Sequence, residues 1–359
     1  MKTVVVGLSG GVDSSVAAYL LKKQGYNVVG LFMLNWEEKD ENGYCTAEQD
    51  FEDVKRVANK IGIPYYTVNY AKEYQERVFK YFLEEYERGR TPNPDVLCNK
   101  EIKFGPFLKY ALELGADYIA TGHYCKRVDK DGKVYLYKSH DLNKDQTYFL
   151  NQLSQEQLKY TLFPLADIDK TEVRKIAKSL GLITAEKKDS TGICFIGERN
   201  FRQFLKNYLP ARKGKIVDLE GNVVGEHEGL MYYTLGQRRG LNIGGLNGYD
   251  NARWFVVDKD MKTNTLIVSC GECAQMYSRA SIVREFNWIT DKLYEPTTVY
   301  VKLRYRQPDQ KAYVKIIDDS TIELTYDKPQ RSVTPGQFAV LYSADGMCYG
   351  GGKIDEIIR

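Results

Sequence analysis

The sequence predicts an α/β fold: a doubly wound parallel sheet, followed by a small central module and a C-terminal β-barrel. Three observations carry that expectation. Apolar strand patterns alternate with helix patterns through the first half, joined by short links, as a parallel sheet covered on both faces requires. Glycines stand just past the helix patterns, where a left-handed residue is wanted. From Lys215 onward the chain changes to short runs of alternating polarity separated by Gly, Asn and Asp, which reads as all-β. The expected division is residues 1–209, 210–280 and 281–359.

Taken in order, strands are expected at Thr3–Leu8, Asn27–Leu34, Pro64–Val68 and Tyr118–Gly122. Helices are expected at Ser14–Gln24, Ala47–Ile61, Lys72–Arg88 and Gly105–Leu114, with Gly25, Gly62 and Gly115 just beyond three of them. Thr46 and Gln49 have capping-box spacing before the second helix. Asp131-Gly132 marks a hairpin turn, and a helix bounded by Asp169 or Thr171 and by Gly181 lies in the helical stretch that ends near Leu209. Further strands are expected at Trp254–Asp258, Thr265–Ser269, Thr298–Leu303, Ala312–Ile317, Thr321–Tyr326 and Gln337–Tyr342. In open parallel sheets ligands bind beyond the carboxyl ends of the strands, which directs attention to the first strand–helix turn.

Composition limits the function classes. At 359 residues, 43% hydrophobic and 28% charged, the chain has the make-up of a soluble multi-domain protein. No apolar run approaches the roughly 20 residues that span a bilayer, so no membrane partner is expected. The opening Met1-Lys2-Thr3-Val4 enters a strand directly, and seven scattered cysteines suit reduced thiols, so a cytoplasmic location is expected. Net charge is only +3, but the basic surplus sits in residues 199–285. Arg199, Arg202, Lys206, Arg212, Lys213 and Lys215 occur there without an intervening acid. A polyanion can dock on such a stretch by releasing counterions, although a solvated helix and loop has the same charge pattern.

The first turn reads Ser9-Gly10-Gly11-Val12-Asp13-Ser14. Glycines before a helix leave backbone N–H groups and a partial positive charge free for a phosphate chain. No lysine follows the glycines, so this is not a Gly-x4-Gly-Lys nucleotide loop. Asp13 instead stands where phosphate would lie, which is repulsive unless a divalent cation bridges the two. An ordinary N-cap at Asp13 or Ser14 is the plain structural alternative.

Two cysteines lie in unusual contexts. Cys98 closes Thr91-Pro92-Asn93-Pro94-Asp95-Val96-Leu97-Cys98, which reads as a stiff loop rather than helix, with Asp95 placed to act as acid or base. Cys194 follows Lys187-Lys188-Asp189-Ser190-Thr191-Gly192-Ile193, where the lysines are positioned to lower a thiol pKa. Burial as small apolar residues is the alternative for both. Cys270-Gly271-Glu272-Cys273 has no second pair at zinc-site distance, so no metal is expected there.

The loop string resembles the signature of the PP-loop ATP pyrophosphatase family, whose members adenylate a carbonyl oxygen and then displace AMP. Amidating ligases that use ammonia share that loop, and a non-catalytic RNA-binding module is a further alternative. A closer resemblance, to the tRNA-specific 2-thiouridylase family, is carried by Gly7–Ser15, Leu31-Phe32-Met33, Gly89–Phe104, Ala120–Tyr124, Asn143–Leu150, Lys188–Phe204 and Thr234–Gly240. Arg304–Gln307, Thr334–Gln337 and Gly350–Gly352 extend it into the tail. The resemblance implies an adenine nucleotide alpha hydrolase-like sheet and ATP-dependent thiolation of the wobble uridine of tRNA. ATP, with Mg2+, would be held by Gly7, Leu8, Ser9, Gly10, Gly11, Val12, Asp13 and Ser14, with Met33 and Gly122 at the adenosine. Cys194 would take sulfur as a persulfide from a donor protein, a cysteine desulfurase or a sulfur relay protein. Cys98 would be its disulfide partner, assisted by Asp95. Asn93, Pro94 and Asp95 would meet the target base. His123, Lys144, Asp145, Gln146, Arg304, Tyr305 and Gln337 would contact tRNA.

Overall fold

The structure, a computed structural model, describes residues 1–37, 46–189, 201–243, 252–293 and 297–359. Its first half runs β1 (Thr3–Gly7), α1 (Val12–Lys23), β2 (Asn27–Leu34), α2 (Thr46–Ile61) and β3 (Tyr65–Asn69). Then come α3 (Ala71–Tyr74), a π-helical turn (Gln75–Phe79) and α4 (Lys80–Glu87), so the single helix expected over 72–88 contains a widened turn. After α5 (Pro94–Cys98) and a second π turn (Asn99–Lys103) follow α6 (Pro106–Glu113), β4 (Tyr118–Ala120), the hairpin β5 (Cys125–Lys130) and β6 (Lys133–Lys138), α7 (Gln155–Lys159), β7 (Thr161–Leu162) and α8 (Lys170–Ser179).

Strands β1 to β4 and β7 make one parallel sheet in the order β3-β2-β1-β4-β7. The central strand shows why it needs cover on both sides. Val5 packs with Leu31 and Met33 on one face, whereas Val4 and Val6 pack with Phe32 and Ala18 on the other. Each buried valine contributes roughly 1.5–2 kcal/mol, and a period of two delivers that to opposite faces. The chain leaves β1 towards β2 and β3, then returns to place β4 on β1's other side. The gap between the carboxyl ends of β1 and β4 is therefore the switch point where a ligand fits.

The second half begins with α9 (Phe201–Lys206) and a four-stranded sheet of β8 (Gly214–Val217), β9 (Val223–His227), β10 (Trp254–Asp260) and β11 (Thr265–Cys270), ordered β10-β11-β8-β9. A closed barrel follows: β12 (Tyr277–Trp288), β13 (Thr297–Lys302), β14 (Gln310–Ile316), β15 (Ile322–Arg331), β16 (Phe338–Tyr342) and β17 (Cys348–Ile358), in the order β12-β15-β14-β13-β16-β17. No helix among the described residues is long and apolar enough to cross a membrane.

One local reading is corrected. Residues 94–98 are helical, not a stiff loop. Pro94 sits at the first helical position, where its missing N–H costs nothing, and the Asn93 side chain accepts from the Val96 N–H at 3.3 Å. The proline pair thus starts a helix, and Cys98 ends it.

Candidate active site

The Ser9–Ser14 loop joins the end of β1 to α1. Gly11 caps α1 and offers no side chain to its first-turn N–H groups. The hydroxyls of Ser14 and Ser15 both donate to the Gly11 carbonyl, at 3.2 and 2.7 Å. The N-cap alternative for Asp13 or Ser14 therefore does not hold, and the helix end keeps its positive pole. Gly10 has φ +72°, and a Cβ there would lie 2.6 Å from the Asp50 carbonyl. At the end of β4, a Cβ on Gly122 would lie 2.7 Å from the Ser14 nitrogen, so only glycine lets β4 approach the loop this closely. Met33 Cε lies 3.3 Å from where a Gly7 Cβ would be. The structure thus gathers Gly7, Met33, Gly122 and the loop at the switch point. Leu8 and Val12 are buried anchors of the loop, 1% and 4% exposed.

Charge is organised around Asp13. Its carboxylate accepts from the Tyr124 hydroxyl at 2.7 Å and from Lys170 Nζ at 2.7 Å on both oxygens. Lys170 also binds Asp189 at 2.7 Å, and Asp189 is held by Lys144 and Arg174 at 2.6 and 2.7 Å. Burial pushes the Asp189 carboxyl up, but hydrogen bonds from Lys144 and Lys170 outweigh it and hold it at about 2. Burial likewise raises the Tyr124 hydroxyl, with the Asp13 charge adding to it, so Tyr124 stays a donor. Sequence reading missed Tyr124 and Lys170, the latter 157 residues from Asp13 with no local signal.

Lys187 braces the loop from its other side. It bonds the Gly10 carbonyl at 3.0 Å, Asp50 at 2.8 Å and Asp53 at 2.6 Å. Burial lowers its pKa, yet the two carboxylates outweigh that and leave it raised. Its charge is spent on bracing the loop. Cys194 lies outside the described residues.

Cys98 is fully buried in the core under the sheet, beside Val96 and Ile102. The strap before it, Thr91 to Asn93, is gripped from the barrel. The Thr91 N–H donates to the Pro335 carbonyl at 3.0 Å, and the Gln337 amide donates to the carbonyls of Thr91 at 2.8 Å and Pro92 at 3.3 Å. Thr91 also meets the Thr234 hydroxyl at 3.2 Å, a contact with the central module. Asn93, Pro94 and Asp95 are half-buried at this junction.

The remaining expected contacts are placed as follows. His123 is 9% exposed, shares a hydrogen bond with the Thr121 hydroxyl at 2.8 Å, and is held well below its usual pKa by burial and then by the Lys103 charge. Asp145 is 2% exposed and turned inward, accepting from the Ser139 N–H at 3.1 Å and the Thr147 hydroxyl at 2.7 Å; burial raises its pKa. The Gln146 side chain accepts from the Tyr124 N–H at 3.0 Å. Arg304 donates to the Ser332 carbonyl and to Thr334, and burial lowers its pKa. Tyr305 lies against Phe149, ring centroids 4.4 Å apart, and burial pushes its hydroxyl up to about 12. In this state the side chains of Asp145 and Gln337 are engaged within the protein. Arg212 and Lys213 are exposed.

Three family models match in succession: the tRNA methyl transferase HUP domain over residues 2–198, the tRNA methyl transferase PRC-barrel domain over 202–270 and the aminomethyltransferase beta-barrel domain over 278–354. The chain is 57% identical to tRNA-specific 2-thiouridylase MnmA of Alkaliphilus oremlandii, across 99% of this chain and 98% of that protein. It is 58% identical to the protein of the same name from Streptococcus sanguinis, across 99% and 96%. A solved 4-thiouridine synthetase–RNA complex with bound ATP shows a partial likeness, with 22% identity and a TM-score of 0.35 over 57% of this chain and 49% of that one. At 57% identity along nearly its whole length, the chain belongs to the tRNA-specific 2-thiouridylase family.

Proposed function

We propose that this protein is an ATP-dependent tRNA-uridine 2-sulfurtransferase acting at the wobble position. The observation that carries the reading is the uncapped α1 N-terminus with Gly10, Gly11 and Gly122 packed against it, a cradle that fits a phosphate chain. Identity of well over half with the two relatives, along the whole chain, supports uridine thiolation as the reaction. Asp13 is the residue that would hold Mg2+ with the phosphates, and the ion would offset their negative charge.

The uracil C2 oxygen is a poor leaving group, so the oxygen attacks the α-phosphate of ATP and pyrophosphate departs. The terminal sulfur of a Cys194 persulfide then attacks C2 and AMP leaves, carrying the original oxygen. Sulfur is now bonded to both Cys194 and C2. A Cys98 thiolate attacks the Cys194 sulfur, the S–S bond breaks towards the base, and 2-thiouridine leaves a Cys98–Cys194 disulfide that an external thiol reduces. Asp95, three residues before Cys98, takes or returns the proton, and Asn93 and Pro94 face a base drawn out of the anticodon stack. The persulfide comes from a cysteine desulfurase or a relay protein.

The test is nucleoside analysis of tRNA incubated with the protein, a persulfide donor and ATP, with pyrophosphate measured alongside. Wobble 2-thiouridine formed with about one pyrophosphate each supports the reading. Pyrophosphate without thiolated nucleoside, with ammonia incorporated instead, would turn it into an amidating ligase, and no pyrophosphate would leave an RNA-binding module.

A further inference from the structure

We propose that Asn99 reads the target uracil, its side-chain oxygen accepting the hydrogen bond of the base N3–H. The proposal rests on the reading that the protein thiolates a tRNA uridine, and it names a residue that tells that base from cytosine. Asn99 follows Cys98 at the end of α5, and its N–H bonds the Asp95 carbonyl one turn earlier. Residues four apart share a helix face, so Asn99 stands on the face that carries Asp95. Asp95 is half-buried and Asn99 is 2% exposed, so Asn99 lies the deeper of the two. A π turn opens at Asn99, with the Phe104 N–H reaching back to its carbonyl at 2.9 Å, and such widened turns gather at functional sites.

The side chain is only half satisfied. Its Nδ2 donates to the Phe149 carbonyl at 3.0 Å, whereas its Oδ1 is buried with no donor among the described residues. Reversing the amide would set oxygen against oxygen, so the Phe149 carbonyl fixes which end is left over. A buried acceptor without a donor is unfavourable in the free protein, and a ligand N–H removes that cost. The neighbours suit a base, because Phe149 lies against Tyr305 with ring centroids 4.4 Å apart. Cys98, which the reaction requires the base to reach, is as deeply buried, so the same opening serves both residues. Uridine offers one N–H on its base, at N3, beside the C2 carbon that reacts. Cytidine presents a bare N3 lone pair there, which would face Oδ1 acceptor to acceptor. Attack of the C2 oxygen on the α-phosphate leaves the ring positively charged, which strengthens the N3–H hydrogen bond as adenylation proceeds.

Equilibrium binding to the full-length protein tests this, with a non-hydrolysable ATP analogue present. The probes are three versions of one tRNA, carrying uridine, cytidine or N3-methyluridine at the wobble position. The wild type is expected to bind uridine about 10- to 100-fold more tightly than either of the others. Asn99→Leu keeps the volume and removes the acceptor, so it should bind uridine and cytidine within about threefold of each other. Asn99→Asp retains an acceptor and should keep most of the preference for uridine. A folded Asn99→Leu that weakens both tRNAs equally and keeps the wild-type preference would make Asn99 structural only, and overturns the assignment. Should Asn99→Leu fail to fold, the wild type decides, because equal binding of uridine and N3-methyluridine overturns the proposal without any variant. Uridine tRNA that yields no pyrophosphate with ATP would instead overturn the reading of the reaction on which the proposal stands.

Discussion

Gly336→Ala is the perturbation that best probes how the barrel sets the strap before Cys98. Gly336 has φ +92°, a conformation that costs an alanine about 1–2 kcal/mol. Its new Cβ would lie 3.0 Å from the N, C and O atoms of Thr91, which are backbone and cannot swing aside. Relief requires the strap and the turn to part by a few tenths of an ångström, loosening the 3.0 Å bond from Thr91 N–H to the Pro335 carbonyl, worth about 1 kcal/mol. Together these lower the local opening free energy by about 2–3 kcal/mol, or roughly 30- to 150-fold in exchange rate. Hydrogen exchange read by mass spectrometry on the peptide from Arg90 to Val96 measures it. Single-turnover thiolation should slow while tRNA affinity holds, because the strap carries Asn93 and leads directly into the helix that holds Asp95. Protection within about twofold of wild type would refute the reasoning.

Charge reversal at exposed Arg212 and Lys213 should weaken tRNA binding and flatten its salt dependence, and an unchanged slope of affinity against salt would remove this stretch from the interface. His123 is buried with its pKa well below 6.5, so the folded protein binds fewer protons there than the unfolded chain. Stability should therefore fall as pH drops below about 6.5, and His123→Asn should lose less than wild type between about pH 7.5 and 5.5; equal losses by urea titration would contradict this. Cys98 and Cys194 should be recovered as one disulfide-linked peptide pair after turnover in the absence of external thiol. Only unlinked peptides after quantitative thiolation would exclude Cys98 as the partner.

Much of the α/β half was legible because its signals are local. Asn27–Leu34 is a strand as read, and Gly25, Gly62 and Gly115 end helices with positive φ, as a left-handed stop requires. The barrel was legible only in part. β12 was missed because charged residues interrupt its pattern at two irregularities, Arg279 at one and Arg284 with Glu285 at the other, where Glu285 itself has positive φ. β17 was missed because Gly350, Gly351 and Gly352 give it no alternation, and the structure shows why they are there: a Cβ on Gly350 would sit 1.9 Å from the Asn287 carbonyl. At the site, glycine spacing and the proline–cysteine string are sequence features. The Asp13–Lys170–Asp189 chain and the Gln337 grip on Thr91 are not, since they join residues 157 and 246 positions apart. The bonds from Lys187 to Asp50 and Asp53 were likewise illegible, since they span 137 and 134 positions.

The most direct measurement loads the protein with a sulfane sulfur carrying a heavy isotope, then follows one turnover with tRNA and ATP by mass spectrometry of both the Cys194 peptide and the tRNA nucleosides. The account predicts that the heavy atom rides first on Cys194 and then appears in wobble 2-thiouridine, with one AMP released per atom moved. Thiolated nucleoside that forms at full rate in a Cys194→Ser variant, or heavy sulfur that reaches tRNA without ever residing on Cys194, would contradict it.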